Sequence, residues 1–165
     1  MRTQKGFSLI ELLIVVAIIL IIAAIAIPTL TRARVAADES SAVGSIRSIN
    51  TAEISYNAAY PAVGFAVNLS YLGGASPCTP STSSGCFIDS VLSGGNPSTK
   101  SGYTFTLSAG SCAAITPNSC YSVVAGPQFA TYTGAKYFCS LEDGVVRTST
   151  TSLSNPCPNT TPPLQ

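Results

Sequence analysis

Residues 7–27 read FSLIELLIVVAIILIIAAIAI, 21 positions that hold a single charge, Glu11. As a helix rising about 1.5 Å per residue, this run spans about 30 Å, the hydrocarbon thickness of a bilayer. No later stretch approaches it, so one membrane-spanning helix is expected. Ahead of it, residues 1–6 carry Arg2 and Lys5 and no acid. Positive charge flanking a span favours the cytoplasmic side, which places the N-terminus inside and the chain beyond Pro28 outside. A cleaved secretory signal is also basic and then apolar, and Ala24 and Ala26 offer a weak cleavage site. The apolar run is nevertheless long for a signal, whose apolar region is about 7–15 residues.

The rest of the composition narrows what the chain can do. Of 165 residues, 46% are hydrophobic and only 9% charged, against about 25% charged in an average soluble domain. The net charge of +1 provides no basic excess to hold a nucleic-acid backbone, so no nucleic-acid partner is expected. There is no His, which removes the commonest general base and the commonest metal ligand. A Ser–Lys hydrolase would have to use Lys100 or Lys136, and neither sits in a recognisable motif. No phosphate-binding loop is present. The chain is expected to be no enzyme and to hold no cofactor.

Beyond Pro28 the helical pattern resumes. Ala42, Ile46, Ile49, Tyr56 and Tyr60 fall within an arc of about 80° at 100° per residue. Arg32, Arg34, Asp38, Glu39, Arg47 and Glu53 are read as its polar remainder. Proline inside a helix kinks it, although Pro28 could equally end the span. The reading adopted is one long kinked helix, apolar all round in its first half, amphipathic in its second, and stopped by Pro61.

Residues 61–165 are rich in Ser, Thr, Gly, Asn and Pro. A long irregular connection is expected over 61–102, with a short helix at 87–92 (FIDSVL). Strands are expected at 103–108 (YTFTLS), 120–125 (CYSVVA), 137–141 (YFCSL) and 145–150 (VVRTST), from their β-branched and aromatic content. Glu142-Asp143-Gly144 is a hairpin signal. The fold class is therefore α+β: a long kinked helix whose second half packs on a small antiparallel sheet. Tyr56, Tyr60, Phe65 and Tyr71 are read as core between helix and sheet. The tail 155–165 is expected to be mobile apart from Cys157. Asn68-Leu69-Ser70 and Asn159-Thr160-Thr161 fit the glycosylation sequon, a pattern frequent by chance.

The segment Lys5-Gly6-Phe7-Ser8-Leu9-Ile10-Glu11 resembles the processing site of type IV pilins and pseudopilins. The resemblance runs closely from Met1 to about Leu30 and loosely to about Gly74. It implies cleavage after Gly6 by a prepilin peptidase and N-methylation of the new N-terminal residue, Phe7. It further implies that the apolar helix serves first as membrane anchor and later as filament core. An ionised carboxylate in hydrocarbon costs several kcal/mol, whereas the helix dipole returns at most about 1. The resemblance supplies Glu11 with a partner, the N-terminal amine of a neighbouring subunit during assembly. The domains expected are a leader at 1–6, a transmembrane and filament-core helix at 7–27, an amphipathic half-helix at 28–60 and a globular head at 61–165.

All six cysteines, Cys78, Cys86, Cys112, Cys120, Cys139 and Cys157, lie in the head. An even count on the outer side of a membrane reads as three disulfides, with fifteen possible connectivities. The sequential pairing is the expectation. Cys78–Cys86 and Cys112–Cys120 would span short polar loops. Cys139–Cys157 would sit where pilins often carry a stabilising disulfide. No C-x-x-C occurs, so no metal site is expected. Major secretion pseudopilins typically hold calcium in this region. Asp89, Glu142 and Asp143, the only acids past residue 60, form no acidic loop to match, whereas the stretch 137–147 looks like the hairpin of pseudopilin-like proteins.

The function expected is a structural subunit of a type IV pilus-like filament. It would be stored in the inner membrane and polymerised with itself and related pilins by an assembly platform and ATPase. A type II secretion pseudopilin is the near alternative. A membrane-anchored periplasmic binding domain that never polymerises is the alternative of another class, and Glu11 speaks against it.

Overall fold

The computed structural model describes residues 6–110 and 118–164 and divides the chain into two compact units, Met1–Arg34 and Val35–Gln165. Helix α1, Leu9–Ala59, contributes to both, and Pro28 lies inside it. Among the described residues of the first unit, α1 is a lone helix with no other element to pack against. Its side chains from Leu9 to Leu30 are almost all exposed.

In the second unit, α1 packs on a five-stranded antiparallel sheet. Its strands are β1 Ser98–Lys100, β2 Tyr103–Gly110, β3 Cys120–Pro127, β4 Tyr137–Leu141 and β5 Arg147–Ser149, in the spatial order β1-β2-β3-β4-β5. Ala42, Ile46, Ile49, Ala52 and Tyr56 of α1 meet Tyr103, Phe105 and Leu107 of β2, with Tyr121, Val123 and Ala125 of β3 and Phe138 of β4. The alternation of β2, buried at Tyr103, Phe105 and Leu107, is the period-2 pattern of a sheet with one face on a core. Opposite Phe105 stands Ala125, so a large and a small side chain share one cross-strand site. Tyr56 and Tyr121 are part of this core, with Phe65, Tyr60 and Tyr71 packed at its margin.

Strand β3 is buried on both faces. Its second face, with Val124, is covered by Cys139, Cys157, Leu141 and Leu153. This corrects the expectation for the tail, which is held in place over most of its length. The Cys157 N–H donates to Ser122 Oγ at 2.7 Å, Thr148 N–H to Pro162 O at 3.0 Å, and Leu164 N–H to Val146 O at 2.8 Å. Main-chain bonds and one cross-link hold this segment, and neither leaves a hydropathy pattern. Cys139 is bonded to Cys157 and Cys78 to Cys86. Cys112 lies outside the described residues, and with it the expected pairing to Cys120.

Replacing Cys139 and Cys157 by Ser should lower the unfolding free energy of the head by about 3 kcal/mol, the loop-closure value for a separation of 18 residues. Thermal unfolding followed by near-UV circular dichroism checks this. An unchanged midpoint would mean that the hydrogen bonds alone hold the tail.

Three local expectations change. The stretch 87–92 forms no α-helix. A 3-10 turn at Leu92–Gly94 follows instead, with Asp89 Oδ1 accepting the N–H groups of Val91 and Leu92 at 3.0 and 3.1 Å. Six residues ahead of Gly94-Gly95 are too few to repay helix nucleation, and the Asp side chain satisfies the turn instead. The connection 61–102 contains helix α2, Leu69–Leu72, whose N-cap is Asn68, and the edge strand β1. Strand β5 begins at Arg147 rather than Val145. The turn takes up the earlier positions, with Val145 N–H donating to Asp143 Oδ1 at 3.0 Å and Arg147 pairing with Asp143.

Candidate functional site

The segment expected to carry the chemistry is the start of α1. Gly6, Phe7 and Ser8 form exposed, non-helical chain just ahead of Leu9, so the Gly6–Phe7 bond is sterically open. Met1–Lys5 lie outside the described residues. The Ser8 N–H donates to Glu11 Oε2 at 3.2 Å. Ser8-Leu9-Ile10-Glu11 thus has half of a capping box, in which the third helical residue reaches back to the N–H that precedes the helix. The S-x-x-E signature was legible in the sequence, but the functional weight of the charge hid it. The cap gives Glu11 one local hydrogen bond, and among the described residues no cation pairs with its carboxyl.

Around Glu11 the surface is apolar. Phe7, Leu9, Ile10, Leu12, Leu13 and Ile14 are all more than half exposed, and the exposed apolar face continues to Leu30. The two hydroxyls in this region turn back onto the helix. Thr29 Oγ1 donates to Ile25 O and Thr31 Oγ1 to Ile27 O, each at 3.0 Å. Such back-bonding satisfies polar groups where neither water nor a partner would. Pro28 between them lacks an N–H, so α1 is one hydrogen bond poorer there. The described segment is therefore an apolar rod with one carboxylate at its start, a surface that calls for lipid or other apolar cover.

In the head, Asp89 pairs with Lys100 at 2.8 Å and Asp143 with Arg147, while Glu142 is exposed. Among the described residues, no group of three or more His, Cys, Asp or Glu could hold a metal ion. Polar residues missed from sequence are those of the buried face of α1. Tyr121 Oη donates to Asn50 Oδ1 at 3.1 Å, and Asn50 Nδ2 donates to Ser140 Oγ at 2.9 Å and Gly144 O at 3.2 Å. Glu53, read as part of the polar remainder, is fully buried. At 100° per residue it stands about 20° from Ala42, inside the apolar arc. Angle should have outweighed charge.

Residues 1–27 match the prokaryotic N-terminal methylation motif. Over 40 residues the chain is 60% identical to the type IV wide pilus major component PilA4 of Thermus thermophilus, a stretch covering 24% of this chain and 30% of that protein. The chain thus spans less than a third of the length of this curated relative. No solved structure matches the chain.

Proposed function

We propose, from the methylation motif at residues 1–27, that the chain is a structural subunit of a type IV pilus-like filament. The observation that carries the proposal is the exposed apolar rod of α1 with Glu11 at its start. At about 25 cal/mol per Å², such a surface is untenable in water and must be covered by lipid or by like helices. The rod is held first in the inner membrane, N-terminus inside, with 61–165 as the outer head. A prepilin peptidase cuts between Gly6 and Phe7 and methylates the Phe7 amine. Cleavage takes Arg2 and Lys5 from the 8 basic residues, leaving 6 against 7 acids. The initial net positive charge is thus a topology signal carried by the leader.

In the filament, Glu11 exchanges its charge-free surroundings for the N-terminal amine of a neighbouring subunit, and Pro28 bends or softens α1 so that rods pack. An external platform and ATPase drive this transfer. Methylation at Phe7, cleavage at Gly6 and the filament itself are tested together on sheared surface material. Electron microscopy should show thin fibres that contain this chain. Its confinement to the envelope, with no fibres, favours the secretion pseudopilin, and an unpolymerised chain in every condition favours the anchored binding domain.

A further inference from the structure

Glu53 has no exposed surface. Its Oε2 accepts the N–H of Ala66 at 2.9 Å, a bond that reaches across 13 residues from the last turns of α1 to the returning chain. Its Oε1 is buried without a hydrogen-bond partner among the described residues. Ionised, this carboxylate would keep one hydrogen bond in place of its hydration shell. Burial therefore pushes its pKa up to about 8, with the Ala66 N–H drawing it partly back.

The returning chain is tied at other points too, to Tyr60 and to Asn118, whose N–H donates to Val63 O and whose Nδ2 donates to Phe65 O, each at 3.2 Å. Val63 and Gly64 N–H donate to Tyr60 O at 2.9 and 3.1 Å, and Phe65 N–H donates to Asn118 O at 3.0 Å. The titratable groups coupled to Glu53 are Tyr56, one turn along α1, and Tyr121 on β3. Both phenols are raised by burial first and by Glu53 second. Tyr60 and Tyr71 act on Tyr56 in turn, and Asp143 and Glu142 of the β4–β5 turn act on Tyr121. Every member of this set is an acid, so none offers Glu53 a counter-charge, and the phenols stay neutral over the range in which Glu53 titrates.

We propose that Glu53 is a proton-operated latch: its neutral carboxyl clasps the segment around Ala66 to α1, and loss of the proton releases that segment. In the opened form the carboxyl is solvated and returns to its ordinary value of 4.5. Between that value and about 8 the closed form binds the extra proton. Opening therefore becomes easier by about tenfold per pH unit over this window and levels off above it. The latch is tightest in acid.

Amide hydrogen exchange of the full chain in detergent micelles tests the proposal, with the Ala66 amide corrected for its intrinsic rate. Its protection should fall about a hundredfold from pH 5.5 to 7.5. In Glu53→Gln, which keeps an acceptor for Ala66 and cannot titrate, protection should stay level over the same range. Parallel profiles in the two proteins would overturn the latch. If the Gln variant does not fold, the carboxyl carbon of Glu53 read by NMR in the unaltered chain decides the matter. A midpoint near 8 supports the latch, and one near 4.5 overturns it.

Discussion

A chain carrying Glu11→Ala is expected to enter the membrane normally and to yield no filaments. The substitution removes the one charge from an apolar run of 21 residues, which can only ease insertion. It costs the helix start the bond from Ser8 N–H, worth about 1 kcal/mol. Assembly loses far more. In the proposed filament, the N-terminal amine of each neighbour would be a buried charge with its partner removed, at about 3–5 kcal/mol per contact. That is a factor of 10² or more at every addition, and a filament is built by repeated additions. Fibre yield after shearing, measured against the amount of chain in the membrane fraction, gives the result. Glu11→Gln keeps an acceptor for the cap and loses the charge, so it should fail as well. Normal fibres from the Gln variant would make capping, and not charge, the task of Glu11.

Gly64→Ala is the second large effect, and it falls on the head. Gly64 has φ +83°, and a Cβ there would lie 2.2 Å from Asn118 O, a main-chain atom. Ala costs about 1–2 kcal/mol in that conformation before any contact is counted. The contact adds to this, because Gly64 bridges Asn118 in parallel and its neighbours exchange main-chain bonds with Asn118 on both sides. Losing two of those bonds costs about 2 kcal/mol more. The head should lose about 3–4 kcal/mol, a fall in Tm on the order of 10 °C. Near-UV circular dichroism resolves this from the helix signal. A fall below about 2 °C would show that residues 60–66 bear little of the stability.

Legibility followed the physics of each segment. The apolar run showed because composition alone makes a membrane-length rod. Strands β2, β3 and β4 showed because they are rich in β-branched and aromatic residues. The stripe on α1 was legible in Ala42, Ile46, Ile49 and Tyr56. Glu53 was misplaced because residue type was weighed above helical angle. Strand β1 is only three residues long and polar, Ser98-Thr99-Lys100, so no apolar alternation marks it, although it pairs with Tyr103–Phe105 across the two-residue turn Ser101-Gly102. The tail 155–164 is held by main-chain bonds, which leave no side-chain pattern, and by the Cys139–Cys157 bond, which was expected. In the candidate site, Gly6, Phe7 and Glu11 are expectations that rest on the resemblance of residues 5–11 to a pilin processing site. The capping bond at Ser8 was overlooked although its signature was present.

The central claim is that residues 7–27 are kept and become a filament core. Mass spectrometry of the N-terminus of this chain in sheared surface fibres tests it most directly. A chain that begins at Phe7 and carries an N-methyl group is expected. A chain that still begins at Met1 in those fibres, or one cut after Ala26 with the rod removed, would contradict it.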